Sequence, residues 1–198
     1  ASGFSHFKFK EEHLQRGKKW KFQDYNGVRF VWIRTFPYKG NEWQRIINML
    51  SYAWRVICVG IRLKENPDVI IGSCVHPFAV LSAYILSRIK KSHFFFEVRD
   101  LWPQTLIDMG ALSDNNPIAW GLKIMEKFFY KKAKIIITLL PYAHQYITEL
   151  GIPKEKIFCI PNGVDLSRYK NIKKYNGEIS GQFRVMYMGA HGRANALD

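Results

Sequence analysis

The sequence predicts an α/β fold with a mostly parallel, doubly wound β-sheet. Short apolar runs typical of buried parallel strands recur along the chain, and segments of helical character separate them. Strands joined through helices of about ten residues or more require crossover connections, which are right-handed in known folds. The composition agrees, because 198 residues of which 47% are hydrophobic suffice for a domain with a core and argue against disorder.

The first half of the chain alternates predicted strands with predicted helices. The strands are expected at 28–34, 68–72 and 93–98, and the helices at about 43–64 and at 77–90. Asn66 and Pro67 end the first helix, since proline cannot continue it. Pro77 suits the first turn of the second helix, where its missing N–H would have no partner in any case.

The second half continues the alternation and then breaks it. Helices are expected at about 117–134 and at 141–150, and strands at 134–138 and 156–160. The stretch 99–105 is predicted to be a polar loop, and a new strand is predicted at 183–189, after a polar stretch that starts at Pro161. We therefore expect one domain at 1–161 and the start of a second at 162–198.

The charge of the chain favours an anionic partner. The 30 Lys and Arg residues outnumber the 16 Asp and Glu residues and give a net charge of +14. Nucleic acid, phosphate-bearing substrates and anionic membranes all fit such a field, and the charge does not choose among them.

Cysteine usage and the longest apolar run both fit a cytoplasmic protein. Cys58, Cys74 and Cys159 lie far apart without metal-ligand spacing, as expected in a reducing compartment. The run at 46–61 is shorter than the roughly 20 residues that a membrane span needs, and it contains Arg55. It predicts a helix that is buried or seated on the surface.

Candidate ligand-binding residues follow the predicted strands, because ligands of doubly wound folds bind at the carboxyl ends of strands. His76 follows the strand at 68–72, either facing the ligand crevice or serving only as a turn residue. Glu97, Arg99 and Asp100 gather three charges at the end of an apolar strand, where charges are costly unless they are paired or bound. They serve a site, or Arg99 clamps one of the two carboxylates.

Two glycine-containing segments are weaker candidates. Asn162 and Gly163 both tolerate positive φ and predict a turn, placed where the chain leaves the first domain. Gly189, His191 and Gly192 follow the strand at 183–189, and a glycine-bearing turn there lets backbone N–H groups approach a phosphate. Taken alone, this second segment matches no established phosphate-binding motif.

The helix expected at 117–134 is amphipathic and basic. Helical spacing places four lysines on one face, namely Lys123, Lys127, Lys131 and Lys134. It places four apolar residues on another face, namely Ile118, Leu122, Met125 and Phe129. The lysine face is either a solvated surface of a packed helix or a surface that meets an anionic membrane.

The ordered set of motifs resembles glycosyltransferase family 4, of the GT-B type, and in particular bacterial O-antigen and capsule enzymes similar to N-acetyl-L-fucosamine transferases. The segments that carry the resemblance are SGFSHFKFKEE at 2–12, DVIIGSCVHPFAVLSAY at 68–84, FFFEVRDLWPQTLIDMGAL at 94–112, IPNGVDLSRY at 160–169 and YMGAHGRANALD at 187–198. The resemblance implies two Rossmann-like domains that face a cleft, with the acceptor held mainly by the first and the nucleotide-sugar donor mainly by the second. It implies transfer with retention to a lipid-linked saccharide, without a metal or other cofactor.

The resemblance also implies roles for individual residues. Arg99 and Asp100 stand where many family members carry a His-Asp pair beside the transferred sugar, and arginine cannot act as a base at neutral pH. The segment from Gly189 to Gly192 matches the first loop of the donor domain. The family's opening strand is expected before Ala1, and its donor-site glutamates beyond Asp198, so this chain alone is expected to be inactive.

Two other functions remain open at the level of sequence. The positive charge and the aromatic residues also suit a module that binds nucleic acid, although no RNP, KH or helix-turn-helix pattern is present. An inactive remnant that only docks on membranes or partners is the other alternative. The resemblance favours an enzyme at the inner face of the plasma membrane that does not bind nucleic acid.

Overall fold

The computed structural model describes residues 14, 17–38, 43–170 and 186–187. The elements, in chain order, are β1 (Trp20–Tyr25), β2 (Val28–Ile33), α1 (Trp43–Arg62), β3 (Val69–Ser73), α2 (Pro77–Ile89), β4 (His93–Val98), α3 (Gln104–Asp108), α4 (Pro117–Lys132), β5 (Ile135–Thr138), α5 (Ala143–Glu149) and β6 (Ile157–Cys159). Short 3₁₀ turns lie before and after β6, at Lys154–Lys156 and Leu166–Tyr169. Apart from Met186 and Tyr187, the strand predicted at 183–189 lies outside the described residues, so the two-domain division stays a prediction.

Four of the strands form the predicted parallel sheet, in the order β3-β4-β5-β6. Gly72 lies opposite Phe96, Phe96 lies opposite Ile136, and Ile136 lies opposite Ile157. The helices α2, α4 and α5 connect consecutive strands, so the alternation predicted from the apolar runs is confirmed.

The described strands lie side by side in the sheet in the same order as they occur along the chain. A doubly wound sheet needs a reversal of this order, which places helices on both faces. Among the described strands there is no such reversal, and the doubly wound arrangement therefore stays a prediction. Within the described part of the chain one face of the sheet is uncovered, and Val69, Ile71 and Phe158 expose 37%, 55% and 48% of their surfaces there.

The core lies between the other face of the sheet and the helices. Phe94, Phe96 and Val98 alternate along β4 and are buried, because successive side chains of a strand point to opposite faces. Val80 of α2 and Phe129 of α4 belong to the same buried cluster. The apolar face predicted for α4 is therefore partly right, although Ile118 in its first turn is 65% exposed.

A β-hairpin precedes the parallel sheet and is separate from it. The strand predicted at 28–34 is present as β2, but it pairs antiparallel with β1, which the sequence analysis did not predict. The connection consists of Asn26 and Gly27 at φ values of 48° and 79°. Asparagine followed by glycine is the preferred pair for a two-residue hairpin loop, because both residues tolerate positive φ.

Several helices differ from their predicted bounds. The first helix ends at Arg62 rather than near residue 64. The loop predicted at 99–105 already contains the start of α3, which the sequence analysis missed. The fourth helix ends at Lys132, and Ala133 is extended and buried, so Lys134 lies beyond the helix.

Candidate functional site

The carboxyl ends of the four parallel strands bring together the loops that carry the candidate residues. The backbone N–H of Cys74 donates to the carbonyl of Glu97 at 2.8 Å, which joins the loop after β3 to the end of β4. The N–H of Ile160 donates to the carbonyl of Thr138 at 2.9 Å, which joins the ends of β6 and β5. These bonds hold the loops after β3, β4, β5 and β6 side by side along one edge.

His76 caps the N-terminus of α2. Its backbone is extended, and its Nδ1 accepts a hydrogen bond from the N–H of Ala79 at 3.1 Å. The ring also lies edge-on against Tyr52 of α1, at 5.6 Å between ring centroids. Burial, aided by the positive charge of Arg45, lowers the pKa of His76 to about 4. At neutral pH the imidazole is therefore uncharged, and since Nδ1 accepts the capping bond, Nε2 carries the proton.

Glu97, Arg99 and Asp100 lie at the end of β4, next to the loop of His76. Glu97 is half-buried and is aligned with Ser73 across β3 and β4, whereas Arg99 and Asp100 are exposed. In the described part of the chain no salt bridge joins Arg99 to Glu97 or to Asp100. The alternative of a purely structural clamp therefore has no support from the geometry.

The loop after β4 is anchored at its far end. Pro103 is almost fully buried, and Trp102 packs against the core. The N–H of Thr105 donates to the carbonyl of Leu101 at 2.7 Å as the chain enters α3. The exposed charges of Arg99 and Asp100 thus lie between a buried strand and a buried proline, which limits how far they can move.

Asn162 and Gly163 follow β6, on the same edge of the sheet. Asn162 is exposed. Strand spacing places β6 about 10 Å from β4, so Asn162 borders the group formed by Glu97, Arg99 and Asp100 without belonging to it. The predicted turn is wrong, because neither Asn162 nor Gly163 has a positive φ and residues 161–165 form no turn. Gly189, His191 and Gly192 lie outside the described residues.

The comparison of the chain with protein families decides its membership. The sequence model of Glycosyltransferase Family 4 matches residues 13–168. The chain belongs to this glycosyltransferase family. A search of the curated proteins found no match to the chain.

The family 4 domain also holds a buried carboxyl group that the sequence analysis missed. Glu126 of α4 is only 6% exposed and accepts hydrogen bonds from the hydroxyls of Tyr130 at 2.9 Å and Tyr146 at 3.0 Å. Burial raises the pKa of Glu126 to about 7, although both tyrosine hydrogen bonds favour the charged form. The pattern that indicates this group is an acidic residue four positions before a tyrosine, on a helix whose apolar positions surround it.

Glu126 lies beneath the candidate site of this glycosyltransferase domain. It lines a small cavity together with Cys74, Pro77 and Trp102, which belong to the loops after β3 and β4 and to the start of α2. Burial, with the negative charges of Glu126 and Asp100 nearby, raises the pKa of the Cys74 thiol to about 12. Cys74 is therefore an inert packing residue at neutral pH.

No group of three or more His, Cys, Asp or Glu side chains within the described ranges is placed to hold a metal ion. The chemistry available at this edge consists of a neutral imidazole, an exposed guanidinium and two carboxylates. Such a set can bind hydroxyl and phosphate groups and can stabilise developing negative charge.

Proposed function

We propose that the protein serves in sugar transfer, with retention of configuration, from a nucleotide sugar to a lipid-linked saccharide in cell-surface polysaccharide synthesis such as that of O-antigen. The observation that carries the proposal is the family match over residues 13–168. The cluster of polar side chains at the carboxyl edge of the sheet supports it, because ligands of such α/β folds bind there. The resemblance to N-acetyl-L-fucosamine transferases motivates the choice of acceptor.

The two substrates are divided between two domains in this proposal. The domain at 1–161 holds the acceptor, and its sheet becomes doubly wound when helices cover its open face. The domain that begins within 162–198 holds most of the donor, with Gly189, His191 and Gly192 near the donor phosphates. Glu97 and Asn162 bind hydroxyl groups of the sugars at the rim.

Arg99, Asp100 and His76 are the proposed catalytic residues. The guanidinium of Arg99 is permanently charged and stabilises the leaving diphosphate or positions the transferred sugar. Asp100 accepts hydrogen bonds from sugar hydroxyls. His76 contributes its Nε2–H as a donor, because its Nδ1 is occupied by the helix cap and its low pKa keeps it neutral.

The proposed location is the cytoplasmic face of the plasma membrane, with peripheral attachment. None of the helices in the described part of the chain has the length and apolar character needed to cross a bilayer. Lys127 and Lys131 on α4 are exposed and attract anionic lipids. Lys123 contributes less, because it forms a salt bridge with Asp114.

Release of nucleoside diphosphate tests the catalytic assignment. In a chain that carries both family domains, supplied with nucleotide sugars and lipid-linked saccharides, we expect Arg99→Ala and Asp100→Ala each to lower turnover by about a hundredfold or more, the usual effect of removing an electrostatic group. Arg88→Ala and Asp68→Ala are matched controls, since both residues are exposed and lie toward the amino ends of the strands. Near-normal turnover of folded Arg99 and Asp100 variants would remove both residues from the site.

A further inference from the structure

The outward face of α1 carries a stripe of exposed apolar side chains. Residues three or four positions apart share a face of a helix, and the stripe repeats with this spacing. Its members are Trp43 (63% exposed), Ile46 (54%), Leu50 (46%), Trp54 (68%) and Ile61 (49%). At about 1.5 Å per residue, the helix presents this stripe over about 30 Å.

The opposite face of α1 is already occupied. Ala53 and Val59 are buried, and the helix approaches α2 so closely that a Cβ on Gly60 would lie 2.6 Å from Leu86. The packing against α2 therefore holds the helix in place without the stripe. Five exposed apolar side chains on an anchored helix form a larger patch than scattered surface residues and mark an interaction surface.

A largely apolar groove, with three cationic residues among those that line it, adjoins the stripe. It lies between α1 and the β1–β2 hairpin, has a volume of about 560 Å³, and shares Trp54 with the stripe. Its apolar lining is formed by Trp20, Ile33, Trp54, Cys58 and Val59, and its cations are Lys19, Arg55 and Arg62. Arg55 and Arg62 donate to the backbone carbonyls of Arg34 and Cys58, respectively. Within the described ranges none of the three cations forms a salt bridge.

We propose that the α1 stripe and the adjoining groove dock on an anionic lipid bilayer. The apolar side chains enter the interface between headgroups and acyl chains, where tryptophan is preferred, and the cations of the groove bind lipid phosphates. Charge complementarity selects this occupant, because three cations without carboxylate partners stand beside the apolar stripe in a chain of net charge +14. An uncharged protein surface would leave these cations without counter-charges when it buried them.

This surface deepens the proposed membrane attachment by naming the apolar contact, and it does not rest on the lysines of α4. An amphipathic helix binds a bilayer through both buried apolar area and electrostatic attraction. Variants of α1 change the first contribution, whereas lysine variants of α4 change only the second. The two proposals can therefore fail separately.

Vesicle binding tests the surface. We expect Leu50→Ser with Trp54→Ser to lower the partition coefficient of the full chain on phosphatidylcholine–phosphatidylglycerol vesicles by about tenfold or more, given the apolar area these side chains bury. Arg55→Gln with Arg62→Gln should weaken binding to these vesicles and leave binding to pure phosphatidylcholine unchanged. Tyr25→Ser with Val28→Ser is the matched control, because these residues at the tip of the β1–β2 hairpin are 64% and 57% exposed and lie outside both the stripe and the lysine face of α4.

Contact with acyl chains gives a second measurement. Lipids with brominated chains should quench less of the fluorescence of the Trp54→Phe variant than of the Trp102→Phe variant, relative to the unmodified chain, because Trp102 packs against the core. Unchanged binding by the Leu50 and Trp54 variant, or an equal loss in the hairpin control, overturns the proposal. So does a stripe covered by a second copy, which sedimentation would reveal as a dimer that the Leu50 and Trp54 variant does not form.

Discussion

Glu126 is the residue whose environment departs furthest from that of an ordinary surface carboxylate. Its pKa rises from 4.5 in the unfolded chain to about 7 in the fold because burial disfavours the charged form. The folded state therefore binds more protons between these values, and the free energy of unfolding falls as pH rises from about 4.5 through 7. Ionisation of Glu126 thereby lowers the free energy of unfolding by on the order of 3 kcal/mol.

Glu126→Gln should remove this pH dependence, because an amide keeps an acceptor for a tyrosine hydroxyl and does not ionise. Urea unfolding from pH 4.5 to 8 measures the difference in stability between the two proteins. As pH rises, the free energy of unfolding of the Gln variant should increase relative to that of the unmodified chain, and this change should level off above about pH 7. A pH-independent difference would show that Glu126 ionises normally in the fold. Glu149→Gln is the control, since this residue is exposed on α5.

His76 combines a structural and a proposed catalytic task that different substitutions separate. His76→Asn keeps a good N-cap acceptor for Ala79, so its stability at pH 7 should match that of the unmodified chain. His76→Ala loses the cap and should cost about 1 kcal/mol. Both variants lack the Nε2–H, so sugar transfer should fall in both.

The pH profile of the same variants gives an independent check on His76. The pKa falls from 6.5 in the unfolded chain to about 4 in the fold, so the unfolded state binds more protons in this window. Stability from this group is present above pH 6.5 and is lost as pH falls toward 4. His76→Asn should show no such loss, and full transfer activity in that variant would mean that His76 is only a cap.

The sequence predicts the placement of His76, Glu97, Arg99 and Asp100 because each lies at the end of, or just after, an apolar run that becomes a parallel strand. Because the carboxyl ends of parallel strands lie at the same edge of a sheet, these four residues are expected to lie near one another. This rule does not predict Glu126, because that residue lies within a helix and not at the end of a strand. The tertiary partner Tyr146 lies 20 positions away and has no local pattern.

At the level of elements, the parallel strands and long helices were predictable and the hairpin and α3 were missed. The strands carry continuous apolar runs, whereas β1 mixes lysine, glutamine and aspartate with aromatic residues and stays largely exposed. The Asn26-Gly27 pair was the available indication of a hairpin. The turn predicted at Asn162-Gly163 was wrong, because residues that tolerate positive φ do not require it, and neither residue adopts it here.

The α4 helix allows a prediction about electrostatic attachment. Each lysine near an anionic surface contributes about 1 kcal/mol, so Lys127→Gln with Lys131→Gln should lower partition on phosphatidylglycerol-containing vesicles by about thirtyfold at low salt. The effect should shrink as salt screens the charges, and binding to phosphatidylcholine should not change. Co-sedimentation measures both.

Lys123→Gln with Asp114→Asn is the control for the α4 prediction, because the two side chains form a salt bridge and removing both leaves the net charge unchanged. Partition of this variant on phosphatidylglycerol-containing vesicles should change little. A loss equal to that of the Lys127 and Lys131 variant, or losses on neutral vesicles, would argue for a change in the fold rather than for an electrostatic surface on α4.

At the scale of the whole molecule, the described helices cover one face of the parallel sheet and leave the other open. The covered face buries Phe96 and Ile136 at 2% and 0% exposure, whereas Ile71 and Phe158 expose about half of their surfaces on the open face. Parallel sheets bury both faces in almost all known proteins. An open apolar face of this kind associates with other apolar surfaces.

We expect the open face to bind an apolar fluorescent dye and to cause association that increases with protein concentration. Ile71→Thr with Phe158→Thr should reduce both, because threonine retains β-propensity and offers a hydroxyl to water. The free energy of unfolding should change little, since both side chains are already half exposed. Ile136→Thr on the covered face should instead destabilise the fold by about 2 kcal/mol, because it buries a hydroxyl in place of a packed side chain. Dye titration, sedimentation and urea unfolding measure these three quantities, and unchanged dye binding in the double variant would show that the open face is not the associating surface.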